Sequence, residues 1–162
     1  MIKRLKEIGR YLLELALATG ANFLIMPPTV ALTQYVLTKY FDVLFLPMFF
    51  GGGGRLPSMG YVLFYFLLVG IKEEAIFRYC IQDCLFEKLL KFPQWLSLTL
   101  ASVVFGAAHL FNPAGMPYTI PQAVGAMMAG FLFGYVYRKR GLHFAMLTHG
   151  LYDFFVIFLA TR

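Results

Sequence analysis

Apolar residues in this chain cluster into runs at about 11–38, 59–80, 94–111, 121–137 and 142–160. Each run is near the ~20 residues that a helix needs to cross a bilayer. None alternates apolar and polar positions with a period of two, and all are too long for ordinary strands. The pattern predicts an all-α, multi-pass bundle of about five transmembrane helices. "MPP" at 26–28 should kink or divide the first helix, because each proline removes a backbone donor. "FFGGGGRLPS" (49–58) reads as a flexible linker or lid. "KFPQ" (91–94) and "NPAGMPYTIP" (112–121) read as turns. "IQDCLFEKLLKF" (81–92) mixes acids, bases and large apolar side chains, as an interfacial helix does. The expected organisation is a kinked N-terminal membrane helix and Gly-rich linker over 1–58, followed by a core over 59–162.

Composition supports the membrane reading. Of the 162 residues, 60% are hydrophobic and 14% charged, against about 45–50% and about 25% in soluble domains. A net charge of +6 would point to nucleic acid in a soluble chain. Here the basic residues flank apolar runs, so topology explains them and no nucleic-acid partner is expected. With five spans and a cytoplasmic N-terminus, Lys3, Arg4, Lys6, Arg10, Lys88, Lys91, Arg138, Lys139 and Arg140 fall inside. Only Lys39, Arg55 and Arg162 fall outside. The N-terminus is basic and then apolar, but its apolar stretch outruns a signal core, so a retained first span is expected. The expected location is a prokaryotic cytoplasmic membrane. Cys80 and Cys84, one turn apart, read as helix-packing residues.

Against this background "KEEAIFR" (72–78) stands out, with four ionisable side chains in seven positions. An acid or base at a helix centre costs about 2.5–3.5 kcal/mol on insertion scales. On an α-helix Glu74 and Arg78 lie about 40° apart and can pair, whereas Glu73 points about 100° away from Glu74. Glu74–Arg78 alone is explained by an ion pair between helices. Glu73 is left without a partner, as suits a general base for water. "VVFGAAHLFN" (103–112) places His109 on an apolar helix with Phe105 one turn before it; alone, such a histidine is an ordinary packing residue. "LTHGLYDFF" (147–155) puts His149 and Asp153 on one face of the last span. His143 is assigned no role. Three helices thus carry polar groups on an apolar ground, and such groups face a bundle interior or a wet cavity.

"EEAIFR", "FGAAH" and "HGLYD" resemble, in order and spacing, the E-E-x-x-x-R, F-x-x-x-H and H-x-x-x-N/D motifs of the CAAX protease and bacteriocin-processing family of glutamate-type intramembrane proteases. Residues 129–153 also resemble its G-x-x-x-G-x-x-Y-x-R…G…H pattern, through Gly130, Gly134, Tyr137 and Arg138. The resemblance covers about 59–160, a four-helix catalytic core. It implies an intramembrane endopeptidase acting near a hydrophobic or lipidated, possibly prenylated, peptide end, with that peptide and membrane lipid as partners. It implies that Glu73 and His109 activate water, that His149 and Asp153 stabilise the oxyanion, and that Glu74 and Arg78 anchor the helix with Phe105 in support. Many relatives carry Asn where this chain has Asp153. An ionised Asp cannot donate to an oxyanion, so Asp153 is either protonated or orients His149.

Histidines and carboxylates could also bind zinc, but they lie on three helices and no H-E-x-x-H helix is present. A metal-independent enzyme without cofactor is the expectation. The rival class is a non-catalytic immunity or scaffold protein that binds a bacteriocin or a membrane partner; a small transporter is weaker still, since no inverted repeat is visible. Ala126, Gly130 and Gly134, spaced by four, should let their helix pack closely on a neighbour. Depth poses a difficulty. Glu73 and His149 sit about 10 Å from a cytoplasmic helix end and His109 about 22 Å from its own, so tilting or a deeper helix start is required.

Overall fold

The computed structural model describes residues 2–41, 59–111 and 119–160. Five α-helices, α1 (Ile2–Phe41), α2 (Met59–Glu74), α3 (Gln94–Ala108), α4 (Ile120–Arg140) and α5 (Leu142–Ala160), with two further helical segments, Ala75–Leu89 and His109–Phe111, make up nearly all of them. No strand occurs among the described residues, so the all-α membrane bundle is the observed architecture. Three helices, within Arg4–Val36, Gln94–Phe111 and Ile120–Arg140, are long and apolar enough to cross a membrane. The linker at 49–58, with Arg55, lies outside the described residues, as do Arg162 and most of the 112–121 turn.

The bundle is inverted relative to a soluble protein. Leu5, Leu12, Leu17, Leu24 and Leu32 of α1 face outward, while Thr19 and Asn22 of the same helix are buried. Polar side chains turned inward avoid hydrocarbon and meet partners there. Asn22 Nδ2 donates to the Ala18 carbonyl at 3.0 Å. The Pro27–Pro28 pair does not divide α1, which runs through both prolines as one helix.

The largest difference from expectation lies after Glu74. No separate interfacial helix forms over 81–92; α2 continues directly into a 15-residue π-helical segment, Ala75–Leu89. Its i→i+5 register shows in the side chains too: Lys88 Nζ reaches Asp83 Oδ2, five residues back, at 2.9 Å. Such segments are usually a single turn, and no sequence feature predicts one here. The segment ends where Lys91 adopts a left-handed φ of 58°, and Pro93 opens α3. This continuation removes the depth difficulty for Glu73 and Glu74. Fifteen residues separate Glu74 from the turn on one side, and the 15 residues of α3 separate His109 from it on the other. Cys80 and Cys84 are both free; Cys80 is exposed, not packed between helices as expected, and Cys84 is half-buried.

Helix α2 packs on α5, α3 on α4, and α1 on α4 and α5. Phe105, Ala126, Ala129, Phe133 and Tyr152 form the buried apolar core. The small-residue face of α4 does pack closely: a Cβ on Gly130 would lie 3.2 Å from Ser102 Cα of α3. A tighter contact, not anticipated from sequence, joins α2 to α5. A Cβ on Gly70 would sit 2.7 Å from the Met146 carbonyl oxygen, and one on Gly150 2.9 Å from both Leu67 Cα and the Phe66 carbonyl oxygen. At one end of the bundle, Arg138 bonds Glu87 and the Gln94 carbonyl oxygen at 2.8 Å. Tyr137 donates to Asp83 at 3.3 Å, and Arg140 pairs with Glu14. The basic end of α4 is thereby tied to the π segment, α3 and α1.

The α2–α5 contact yields a prediction. Gly150→Ala forces backbone against backbone and should cost about 1–3 kcal/mol, the usual range for overpacking. Gly20→Ala, where nothing lies within 4 Å, should instead stabilise by about 0.4–1 kcal/mol. Thermal midpoints in detergent should therefore move in opposite directions; equal shifts would disprove the close approach.

Candidate active site

The site is built on the Gly70–Gly150 contact, which lets α2 approach α5 one turn before Glu73 and Glu74 and directly beside His149. Glu74 is fully buried and its two oxygens serve different helices. Arg78 Nε donates to Oε2 at 3.0 Å, and His149 Nδ1 lies 3.0 Å from Oε1. Since a carboxylate only accepts, His149 Nδ1 carries the proton in that bond. The imidazole is thus held in one orientation. Its other nitrogen, Nε2, faces Asp153 Oδ2 at 3.4 Å and Glu73 Oε2 at 3.8 Å.

Accessibility divides the acids. The Glu74 and Arg78 side chains are 0% exposed, whereas Glu73 is 22% exposed and Asp153 24%. The acids at Nε2 are only half-buried, whereas protein encloses the pair behind Nδ1 completely. The expectation that Glu73 lacks a partner is corrected by its contact with His149. The Glu74–Arg78 pair lies within one helix rather than between two, and it is Glu74's second oxygen that reaches α5.

Aromatic rings enclose His149. Phe133 stacks on it at 4.4 Å and 18°, and Phe105 meets it edge-on at 5.7 Å. Phe105 also contacts the His109 ring at 4.9 Å and lies 5.3 Å below the Arg78 guanidinium, a cation–π arrangement. His109 itself stands where α3 gives way to a short 3-10 turn, His109–Phe111. Its Nδ1 is 2.9 Å from the Phe105 carbonyl oxygen. A carbonyl cannot donate, so Nδ1–H is the donor and the neutral ring leaves Nε2 as a proton acceptor. Phe105 therefore stands between the two imidazoles and sets the orientation of one through its backbone.

The structure brings Glu73, Glu74, Arg78, His149 and Asp153 into one polar cluster, with His109 joined to it through Phe105. Sequence reasoning missed Gln82. It is fully buried and continues the Glu74, Arg78 series at the same spacing of four. Gln82 Oε1 and Arg78 Nη1 lie 2.8 and 3.5 Å from where a Cβ on Gly134 would be, so that glycine makes room for both. The spacing was a usable signal; assigning 81–92 to a separate interfacial helix concealed it. Among the described residues, no group of three or more His, Cys, Asp or Glu side chains is disposed to hold a metal ion.

Residues 55–155 match the family described as Type II CAAX prenyl endopeptidase Rce1-like. No curated protein and no solved structure matched the chain.

The shared carboxylate predicts the behaviour of Arg78→Ala. The change leaves the buried Glu74 charge without its guanidinium, and breaking a buried pair costs about 3–5 kcal/mol. Folded yield and thermal midpoint should both drop. Full stability with selective loss of turnover would place Arg78 in the chemistry instead.

Proposed function

The chain belongs to the type II CAAX prenyl endopeptidase Rce1-like family, and we propose that it hydrolyses a peptide bond near a hydrophobic or prenylated peptide end by acid–base activation of water. The observation that carries this reading is the fixed His149: Nδ1 is held by Glu74, while Nε2 faces two half-buried acids. With Nδ1–H given to Glu74, a second proton on Nε2 makes the ring an imidazolium, a pre-oriented N–H donor beside a half-buried base, in a bundle whose outer face is apolar.

In this mechanism Glu73 accepts a proton from water, aided by His109 Nε2, and the water oxygen attacks the scissile carbonyl carbon. Negative charge develops on the carbonyl oxygen, where His149 Nε2–H stabilises it. A fixed donor aimed at a developing charge needs no reorganisation during the reaction. The C–N bond then breaks and the proton held by Glu73 passes to the leaving amine. Glu74 and Arg78 position His149 without touching substrate. Apolar walls fit a lipidated chain arriving from the bilayer, and the basic end of the bundle fits a cytoplasmic orientation of the N-terminus.

The test is a quenched fluorogenic prenylated peptide, assayed in detergent with and without chelator. Turnover that persists with chelator supports metal-independent chemistry. Folded protein that binds such peptides without cleaving them would favour a scaffold role. Glu73→Gln removes the base while conserving volume, so turnover should fall by about 10²–10⁴-fold, the usual worth of general-base catalysis, with the midpoint unchanged. Near-normal turnover would remove Glu73 from its role.

Asp153 provides a sharper test. Because Glu74 already fixes His149 through Nδ1, orientation does not require Asp153, which leaves it the role of a neutral donor beside the oxyanion. Asp153→Asn should then preserve or raise the rate, since an amide supplies N–H groups at every pH. The wild-type rate should fall on the alkaline side, and the Asn variant should lack that fall. A folded but inactive Asn variant would show that the carboxylate charge is needed.

A further inference from the structure

A cleft of about 440 Å³ lies between α1, α4 and α5, away from the site described above. Ala18, Tyr135, Val136 and Phe144 supply apolar surface, and Glu14, Lys139 and Arg140 supply charge. The two basic residues close the C-terminus of α4, so the charge lies at the end of the bundle and Val136 one turn deeper. Lys139 extends over the Tyr135 ring at 5.7 Å. Glu14 is shared between Arg140 and Arg10, whose Nε is 4.0 Å away. Two cations, Lys139 and Arg140, thus line the cleft with a single acid, Glu14, which Arg10 also approaches. Neither catalysis nor packing of α4 on α3 uses this excess of positive charge.

We propose that this cleft binds an anionic glycerophospholipid of the phosphatidylglycerol type. Its phosphodiester would sit against Lys139 and Arg140, and the start of an acyl chain along Ala18, Val136 and Phe144. The volume falls within the ~300–1,000 Å³ of ligand sites, enough for a headgroup and its glycerol. A headgroup with one negative charge and no cation of its own complements the excess. A choline lipid would bring a further cation to a surface already rich in them. Basic pockets between membrane helices hold anionic headgroups by this balance. The proposal rests on the membrane architecture and not on peptidase activity, so binding and cleavage can fail separately.

The experiment uses the full chain in a neutral detergent, titrated with short-chain phosphatidylglycerol, short-chain phosphatidylcholine or inorganic phosphate. Thermal midpoint and lipid adducts in native mass spectrometry are the readouts. Phosphatidylglycerol should raise the midpoint and bind at least about tenfold more tightly than phosphatidylcholine, at about fivefold per basic residue. Lys139→Gln should weaken phosphatidylglycerol about fivefold, and Lys139→Gln with Arg140→Gln should abolish the preference. The double variant also disturbs Glu14, so Ala18→Phe serves as a second probe; it fills the cleft without altering charge and should remove the same preference. Equal response to both lipids would overturn the proposal. So would a preference that survives Lys139→Gln and Ala18→Phe, or a stabilisation that inorganic phosphate reproduces, which would indicate a phosphate site rather than a lipid one.

Discussion

One carboxylate, that of Glu74, holds two helices through two different oxygens: Arg78 Nε on its own helix at 3.0 Å and His149 Nδ1 on α5 at 3.0 Å. The ion is fully buried, so it depends on both partners. A buried carboxylate stripped of its cation costs several kcal/mol, whereas a pair that also satisfies remaining lone pairs is tolerable. The guanidinium neutralises the charge and Phe105 underlies it at 5.3 Å. The imidazole bonds the other carboxylate oxygen at 3.0 Å. Everything at Nε2 follows from this arrangement, since a ring pinned at Nδ1 and stacked on Phe133 has no freedom to turn.

Such a bond across helices needs backbones closer than large side chains permit. Gly70 and Gly150 provide that closeness between α2 and α5, where a Cβ on either would strike main-chain atoms at 2.7–2.9 Å. On the other side, Gly130 lets Phe105 and Ser102 of α3 approach α4. Gly134 gives Arg78 and Gln82 their space. In a membrane, where no hydrophobic force drives helices together, close packing at small residues and internal polar bonds are the available cohesion. The glycines and the Glu74 network are therefore one device: the first sets the distance that the second requires.

Local relations were legible in the sequence. Glu74 with Arg78 and His149 with Asp153 are spaced by four on helices, and the structure shows both pairs in contact. The apolar runs gave α3, α4 and α5 within a few residues, because hydrophobic length is the dominant constraint in a bilayer, but missed the basic start of α1 and the extension of α2 to Leu89 by nine residues each. What stayed hidden was relational. Nothing in the chain says that Glu74 meets His149, 75 residues away, or that Gly70 faces Gly150. The π register after Glu74 was also hidden, since it depends on how backbone bonds settle against α3 and α4 rather than on any residue type. That misreading broke the polar series at Arg78 and so lost Gln82. The glycine-rich stretch before α2 lies outside the described residues, and the structure neither supports nor corrects its reading as a lid.

The surroundings of the two adjacent carboxylates account for their place at the end of α2. Glu74 points inward to one guanidinium and one imidazole, and its charge is offset. Glu73, about 100° round the helix, emerges beside His149 Nε2 with part of its side chain exposed. There it shares that nitrogen with Asp153. One imidazolium can offset one carboxylate and not two, so the cluster is nearest to neutrality when one of these acids keeps its proton. In the proposed mechanism, a base and a neutral donor on either side of a single fixed N–H are the set required for attacking a carbonyl and holding the resulting oxyanion. Adjacent positions on one helix thus separate two duties that a single glutamate could not perform. The inner acid fixes the geometry, and on the proposed mechanism the outer acid is the one that takes the proton from water.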